Sequence, residues 1–290
     1  MLLIRALIRA YRRRQAARRP EAAERQSAAS RGTLSLLVHQ ARYDLLASLR
    51  DPRARFFTLI FPIVLLVIFA GVFGSGTTTV DGVSIDTARF FVPGIVTMSI
   101  VTAAYAGVLI RTANSRENGL LKRRRATPVP AAVLLGGQAA ATLATTLAMS
   151  ALLLVIARVG YGVSLSAGAL AATGCAVIVG TLAFSSLGYA VAGMVGNADA
   201  AQPVAQATMM PLYFISGVWI PTDQLPHALQ KIASLFPIEH LAAAAHLASV
   251  RGSFSAALAP KDLAVLAAWA VAAALFAARR FSWLPATAGS

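Results

Sequence analysis

Six apolar runs divide the chain, and their lengths decide the fold class. They carry almost no charge, and most approach the roughly 20 residues that a helix needs to cross a bilayer. They are approximately Phe56–Phe73, Phe90–Ile110, Ala131–Ala157, Leu165–Val195, Val204–Ile220 and Leu263–Ala278. The pattern therefore predicts an all-α, polytopic membrane protein with six transmembrane helices.

Two further segments show helical spacing without the length of a span. In Leu34–Leu49, the apolar residues Leu37, Ala41 and Leu45 share one face. This spacing predicts an N-terminal amphipathic helix that lies at the cytoplasmic interface of the membrane, in contact with lipids. This helix serves either as an anchor or as a transmitter of motion.

The connection Pro221–Lys261 also carries apolar residues at helical spacing, interrupted by Pro237. It predicts outer re-entrant helices between spans five and six. The residues assigned to this segment are Gly217, Pro221, Pro226, Pro237 and His240.

Composition supports the membrane assignment. Hydrophobic residues make up 57% of the 290 residues and charged residues only 13%, whereas soluble domains carry about 25% charged residues. The fourth run adds a stripe of small residues that predicts a close helix-packing face. Its members are Gly168, Ala172, Ala176, Gly180, Gly188, Ala192 and Gly196.

The basic residues are distributed unevenly, which predicts the orientation. Thirteen of the 26 precede the first run, six lie in 111–130 and two (Arg279 and Arg280) follow the last run, against five on the other side. By the positive-inside rule both termini lie in the cytoplasm, which predicts a multi-pass protein of a plasma membrane. The net charge of +15 is thus explained without nucleic acid, since no folded basic face with interleaved aromatic residues is predicted.

The same distribution predicts three segments. Residues 1–32 form a basic cytoplasmic arm whose order the sequence leaves open, and whose arginines also fit an organellar transit peptide, though less well. Residues 33–280 form the transmembrane domain, and residues 281–290 form a C-terminal tail.

The sequence lacks several catalytic motifs, which narrows the range of possible functions. The lysines Lys122, Lys231 and Lys261 do not follow a glycine, so the sequence contains no P-loop, and any ATP is hydrolysed by another chain. Neither catalytic residues nor a cofactor site are predicted. The first three runs contain no carboxylate, which disfavours ion-coupled transport.

No metal site is predicted either. Cys175 is the only cysteine, which excludes a cysteine-based metal cluster. Glu239, His240 and His246 are close in sequence, but a spacing of six places the two histidines on different helical faces.

The connection Asn114–Pro128 carries the strongest functional signal. Glu117 leads into a short helical turn beside a basic run, and Thr127-Pro128 stops it before the third run. Topology alone requires neither the acidic residue nor the defined stop. A short helix across the membrane surface suits docking to a soluble partner.

At this connection the sequence resembles the permeases of type-two ATP-binding-cassette exporters, whose pattern is Glu-Arg-x-Gly-Thr-Leu-x-x-Leu-x-x-Thr-Pro. Gly119, Leu121 and Thr127-Pro128 follow it in one register, in which Arg124 replaces a commonly apolar residue. Glu117 stands one position later than the pattern's glutamate, and the residue after it is Asn118 rather than an arginine. A second match lies in Phe214–Pro221, Leu225-Pro226 and Leu235–His240, which resemble the family's fifth-span exit and outer helices.

The resemblance implies six spans per subunit, pairing with a second permease copy or a homologous permease, and two cytoplasmic ATPase subunits that bind ATP and Mg. It assigns ATPase coupling to Glu117, Gly119, Leu121, Arg123, Thr127 and Pro128. The chain looks most like the daunorubicin-exporter type, which implies export of an amphipathic drug, antibiotic or lipid-like substrate across the bacterial plasma (inner) membrane.

Other functions stay open at this point. The alternative in the same class is a cell-envelope polysaccharide or lipo-oligosaccharide exporter, and a remote one is a membrane-embedded enzyme or channel. Five polar residues within or beside the runs either line a pathway or satisfy the backbone of a neighbouring helix. They are Thr97, Ser99, Thr102, Asn114 and Ser216.

Overall fold

The computed structural model describes residues 35, 38–46, 50, 56–74, 76–80, 83–120 and 131–280. Most of these residues are helical. The predicted arm 1–32 and the tail 281–290 lie outside the described residues, as do Leu37 and the stretch 121–130.

The first half of the fold contains a short helix, two spans and a hairpin. Helix α1 covers residues 38–46. A π-helical turn, Phe56–Ile60, leads into α2. The elements that follow are α2 (Phe61–Phe73), β1 (Thr77–Val80), β2 (Val83–Asp86), α3 (Thr87–Val101), a π-helical turn (Thr102–Ala106) and α4 (Gly107–Glu117).

The second half consists of helices that differ greatly in length. They are α5 (Ala131–Tyr161), α6 (Ala167–Ala192), α7 (Ala201–Ile215), a 3₁₀ turn (Thr222–Gln224), α8 (His227–Ala233), α9 (Pro237–Val250), α10 (Phe254–Ala257) and α11 (Pro260–Arg280).

Five helices within the described residues are long and apolar enough to cross a membrane. They are Phe56–Phe73, Thr87–Glu117, Gly136–Tyr161, Ala167–Ala192 and Pro260–Arg279. They confirm the prediction of a mainly helical, polytopic membrane protein. The run predicted as the fifth span forms α7, whose 15 residues extend roughly 22 Å, short of a hydrocarbon core of about 30 Å. The count of six spans therefore stays a prediction.

The second span, Thr87–Glu117, forms the centre of the bundle. Its α3 part is buried from Phe90 to Val101 and contacts α2, α5, α6 and α9. The outer helices instead expose aliphatic side chains, such as Val67 and Ile68 on α2. An apolar exterior of this kind matches a lipid environment, since lipid tails solvate such side chains as well as the core does.

A two-stranded hairpin precedes this central span and was not predicted. Strand β1 pairs antiparallel with β2, with Thr77 opposite Asp86 and Val80 opposite Val83. The threonines of β1 are β-branched and favour extended backbone. Four residues per strand are too few for a clear alternating pattern, which explains why the sequence did not reveal them.

The stripe of small residues on α6 is confirmed as a packing face. A Cβ added at Gly188 would lie 2.8 Å from the carbonyl oxygen of Tyr105, and one at Gly168 would lie 2.5 Å from the backbone nitrogen of Phe254. Gly180 contacts Leu241 of α9 in the same way. Gly196 lies beyond α6 and has no such neighbour.

The segment after α7 packs closely on the central span. Gly94 has no Cβ, and one placed there would overlap the carbonyl oxygen of Val218. Gly217 has φ +74°, a backbone conformation that favours glycine. His246 of α9 donates from Nε2 to the Gly217 carbonyl at 3.0 Å and stacks on Phe90 with ring centres 4.7 Å apart.

Candidate functional site

The candidate site is the end of the bundle where α4 stops. We call it the Glu117 end and define it by the last turn of α4 (Asn114–Glu117), residues 193–200 between α6 and α7, and α1. Alternating helix directions place the hairpin and α8–α10 at the opposite end.

Arg116 is the buried centre of the Glu117 end. Its side chain is 7% exposed. Nη1 donates to the carbonyl of Ala192 at 3.0 Å, and Nη2 donates to the carbonyl of Val195. The last carbonyls of a helix lack partners within it and carry partial negative charge, which suits a forked cation. Arg116 therefore fixes the end of α6 to the end of α4.

Glu117 contacts the same connection from the other side. Its Oε2 accepts a hydrogen bond from the backbone N–H of Ala198. Asn197 Oδ1 accepts from the N–H of Ala200 at 2.8 Å, where α7 begins. Arg116 and Glu117 thus hold a carbonyl and an amide of residues 193–200, and they link α4 to the start of α7.

Gly119 explains how the second span ends. The N–H of Asn118 donates to Asn114 O at 3.0 Å, and the N–H of Gly119 donates to Arg116 O at 3.1 Å. Gly119 has φ +66°, as is typical of the glycine that follows a helix C-cap. Leu120 is helical again and exposed, so the glycine separates α4 from the next turn.

Four of the predicted coupling residues lie outside the described residues. They are Leu121, Arg123, Thr127 and Pro128. Glu117 and Gly119 are described and adjacent, but Glu117 faces residues 193–200. The sequence did not assign Arg116, because burial against a connection 76 residues later has no local sequence signal.

Helix α1 packs against the start of α5. A Cβ added at Gly137 would lie 2.6 Å from Cγ of Gln40, and Gln40 Nε2 donates to Asp44 Oδ2 at 2.9 Å. Ala41 and Leu45 are half-buried, and Val38 is exposed. Gln40 is not part of the predicted apolar face, so α1 contacts α5 through a polar residue as well. The third span therefore begins against α1.

Hydroxyl groups join the π-helical turn of the second span to α7. Tyr105 and Thr208 share a hydrogen bond of 2.9 Å, and Thr102 and Tyr213 share one of 3.3 Å. π-Helical turns are often found at functional sites. This turn connects the middle of the central span to the helix that starts at the Glu117 end.

The polar residues proposed as pathway candidates have different environments. Ser99 Oγ donates to Val96 O at 2.8 Å, so it satisfies its own helix backbone. Thr102 bonds to Tyr213, and Asn114 is exposed. Thr97 and Ser216 are fully buried, and their hydroxyls have no hydrogen-bond partner among the described residues.

At the opposite end, prolines shape the segment 217–259. Pro221 precedes the 3₁₀ turn, Pro226 precedes α8, and Pro237 opens α9. His240 Nδ1 lies 2.7 Å from Asp262 Oδ1 of α11, and its Nε2 lies 3.0 Å from the Ser234 carbonyl. These three groups belong to different elements, so their proximity could not be predicted from their spacing in the sequence.

Glu239 lies beside the same imidazole. Its Oε2 is 3.4 Å from His240 Nδ1. Burial raises the pKa of the Glu239 carboxyl, and Asp262 adds to the increase, whereas His240 and Lys261 oppose it. Glu239, His240 and Asp262 are the group of described residues that could hold a metal ion.

Comparisons with known proteins agree with this architecture. A sequence model of the ABC-2 type transporter family matches residues 37–247. The chain is 23% identical over 191 residues to the inner membrane transport permease YadH of Escherichia coli (strain K12), which covers 63% of this chain and 72% of that protein. A shorter match, 39% over 59 residues, links 20% of the chain to 23% of nodulation protein J of Rhizobium leguminosarum bv. viciae.

Proposed function

Because this chain belongs to the ABC-2 type transporter family, we propose that it exports an amphipathic drug, antibiotic or lipid-like substrate from the cytoplasm. Family membership makes it the transmembrane subunit of a transporter in the inner membrane. Its apolar exterior and the absence of carboxylates in the first three runs support an exporter driven by a partner rather than by an ion gradient.

ABC-2 permeases generally work with a cytoplasmic ABC ATPase. We propose two copies of that ATPase, which bind and hydrolyse ATP with Mg, and no catalytic residue in this chain. The sequence supports assigning ATP hydrolysis to the partner, because a P-loop requires a Gly-Lys pair and no lysine of this chain follows a glycine. A second permease copy, or a homologous permease, completes the proposed assembly.

The proposed topology has six spans and both termini in the cytoplasm. Helix α7 is the proposed fifth span, completed by the residues up to Ile220, and α8 and α9 are the proposed outer re-entrant helices. The excess of arginine before the first span and in 111–130 supports this orientation. The Glu117 end is then cytoplasmic.

The observation that carries the coupling proposal is the contact of both Arg116 and Glu117 with residues 193–200, at Val195 and Ala198. The connection 118–130 continues directly from α4. A force applied by an ATPase to Leu121, Arg123, Thr127 or Pro128 is therefore passed to Arg116 and Glu117, and from there to α7. Helix α1 (Ala41, Leu45) contributes a second surface beside the start of α5.

This linkage supports a mechanism for alternating access. Closure of the ATPases on ATP moves the Glu117 end, and α4 and α7 move together because their ends are joined. We propose that the second span bends at its π-helical turn, which lies in the middle of the span and bonds to α7 through Tyr105 and Thr102. The two permease halves thereby switch between inward- and outward-facing states.

Purification from native membranes tests the proposed partner. In mild detergent, we expect the tagged chain to retain a separate P-loop ATPase, and the complex to hydrolyse ATP with Mg. A preparation of the isolated chain that transports substrate without any ATPase would contradict the proposal.

A further inference from the structure

We propose that Glu239, His240 and Asp262 bind one divalent transition-metal ion at the end of the bundle opposite Glu117. Their ligand atoms lie within 4.8 Å of one another. The site joins the first turn of α9 to the first turn of α11, 22 residues later in the chain.

The orientation of the imidazole is the first argument. His240 Nε2 faces the carbonyl of Ser234 at 3.0 Å, which can only accept a hydrogen bond, so Nε2 carries the proton. Metal-binding histidines almost always donate their second N–H in this way, which directs the lone pair of the other nitrogen to the metal. In His240 that nitrogen is Nδ1, and it faces two carboxylates.

The charge of the group is the second argument. With the proton on Nε2, Nδ1 lies 2.7 Å from Asp262 Oδ1, so these two atoms must share either a second proton or a metal ion. A proton on Nδ1 supplies one positive charge to two carboxylates, which lie 2.7 Å (Asp262) and 3.4 Å (Glu239) from that nitrogen. Lys261 acts on Glu239 electrostatically, but no salt bridge joins these two among the described residues. A divalent cation neutralises both carboxylates.

The distances between the ligand atoms and the exposure of the three side chains can be compared with the requirements of a zinc site. Zinc bonds to nitrogen and carboxylate oxygen of roughly 2.0–2.2 Å place two tetrahedral ligands about 3.3 Å apart. The separation of Glu239 Oε2 from His240 Nδ1, 3.4 Å, already matches. The pair His240–Asp262 must open by about 0.6 Å to reach this zinc spacing. Rotation of the partly exposed Asp262 carboxylate allows that change. Side-chain exposures of 8%, 17% and 23% leave the group accessible to ions from solution.

Bound metal would stabilise one part of the fold selectively. Ser234 ends α8, so the imidazole connects α8 to α9, and the metal adds α11. The ion would therefore fix the segment between α7 and α11 to the last span. This role is independent of the substrate and of the ATPase partner.

The test is zinc binding by the full chain in lipid nanodiscs, carrying a tag without histidine and stripped with chelator. Isothermal titration with ZnCl₂ compares the wild type, His240→Gln and the control His227→Gln, which removes an exposed histidine of α8. We expect one equivalent of zinc in the wild type and the control, and at least about tenfold weaker binding in His240→Gln. X-ray absorption of the zinc complex is expected to show nitrogen and oxygen ligands at about 2.0–2.2 Å.

Two results would overturn the proposal. Either the wild type binds no zinc, in which case the pair His240–Asp262 holds a proton, or His240→Gln binds as tightly as His227→Gln. If His240→Gln does not fold, as judged by size-exclusion chromatography, Glu239→Gln and Asp262→Asn provide the same comparison. Both keep the size of the side chain and remove a ligand charge.

Discussion

Replacing Glu117 with alanine is expected to reduce substrate-stimulated ATP hydrolysis of the assembled complex about tenfold, with basal hydrolysis and folding retained. The carboxylate accepts a hydrogen bond from the Ala198 N–H. Because Glu117 is exposed, the contribution is taken as about 1.5 kcal/mol, the lower end of the range for hydrogen bonds to charged groups. A loss of about 1.4 kcal/mol shifts an equilibrium tenfold. Without this contact, Arg116 remains to join α4 to residues 193–200, so that movement of α4 is passed on less effectively.

Two further variants distinguish the internal contact from direct binding of the ATPase. Glu117→Gln keeps an oxygen that can accept from Ala198, so it should retain most of the stimulation. Asp199→Ala removes an exposed acidic residue of the same surface and should leave the rate unchanged. Full stimulation in Glu117→Ala would refute a coupling role for this residue.

Replacing Arg116 with alanine is expected to destabilise the protein by about 3 kcal/mol or more. Two hydrogen bonds from a charged, buried group are lost, each contributing about 1.5–3 kcal/mol, and the carbonyls of Ala192 and Val195 lose their donor. For a chain of this size the midpoint of thermal unfolding should fall by roughly 6–12 °C.

Two control variants test whether the stability depends on the planar, forked guanidinium of Arg116. Arg116→Lys supplies a charge but not the planar fork, so it should restore only part of the lost stability. Arg251→Ala removes an exposed arginine at the opposite end of the bundle and should have little effect. Thermal unfolding followed in one detergent compares all four proteins, and an unchanged midpoint for Arg116→Ala would contradict the structural role.

Hydropathy predicted the long helices well because each span is specified by local composition. The first run matches Phe56–Phe73 as written, and the second was predicted too short because Arg111 and Arg116 were assigned to a connection. Arg116 belongs to the helix because its charge is satisfied by carbonyls of another element. A hydropathy window averages over one segment of the chain, so it does not include a hydrogen-bond partner 76 residues away.

The candidate site was predicted only in part for the same reason. Glu117 and Gly119 were identified by the resemblance, and Gly119 has the positive φ that explains the glycine. The partners Ala192, Val195 and Ala198 offer backbone groups, which every sequence position carries. The trio Glu239, His240 and Asp262 likewise depends on how α9 and α11 pack.

Cross-linking from Leu120 tests the central claim most directly, namely that the Glu117 end receives a separate ATPase. Leu120 is exposed and follows Gly119, and Cys175 is the only native cysteine. In a Cys175→Ala background, Leu120→Cys treated with a short bifunctional thiol–amine reagent in native membranes should give an adduct with a P-loop ATPase, whereas Ser255→Cys at the opposite end should not. An ATPase adduct from position 255 and none from position 120 would contradict the account.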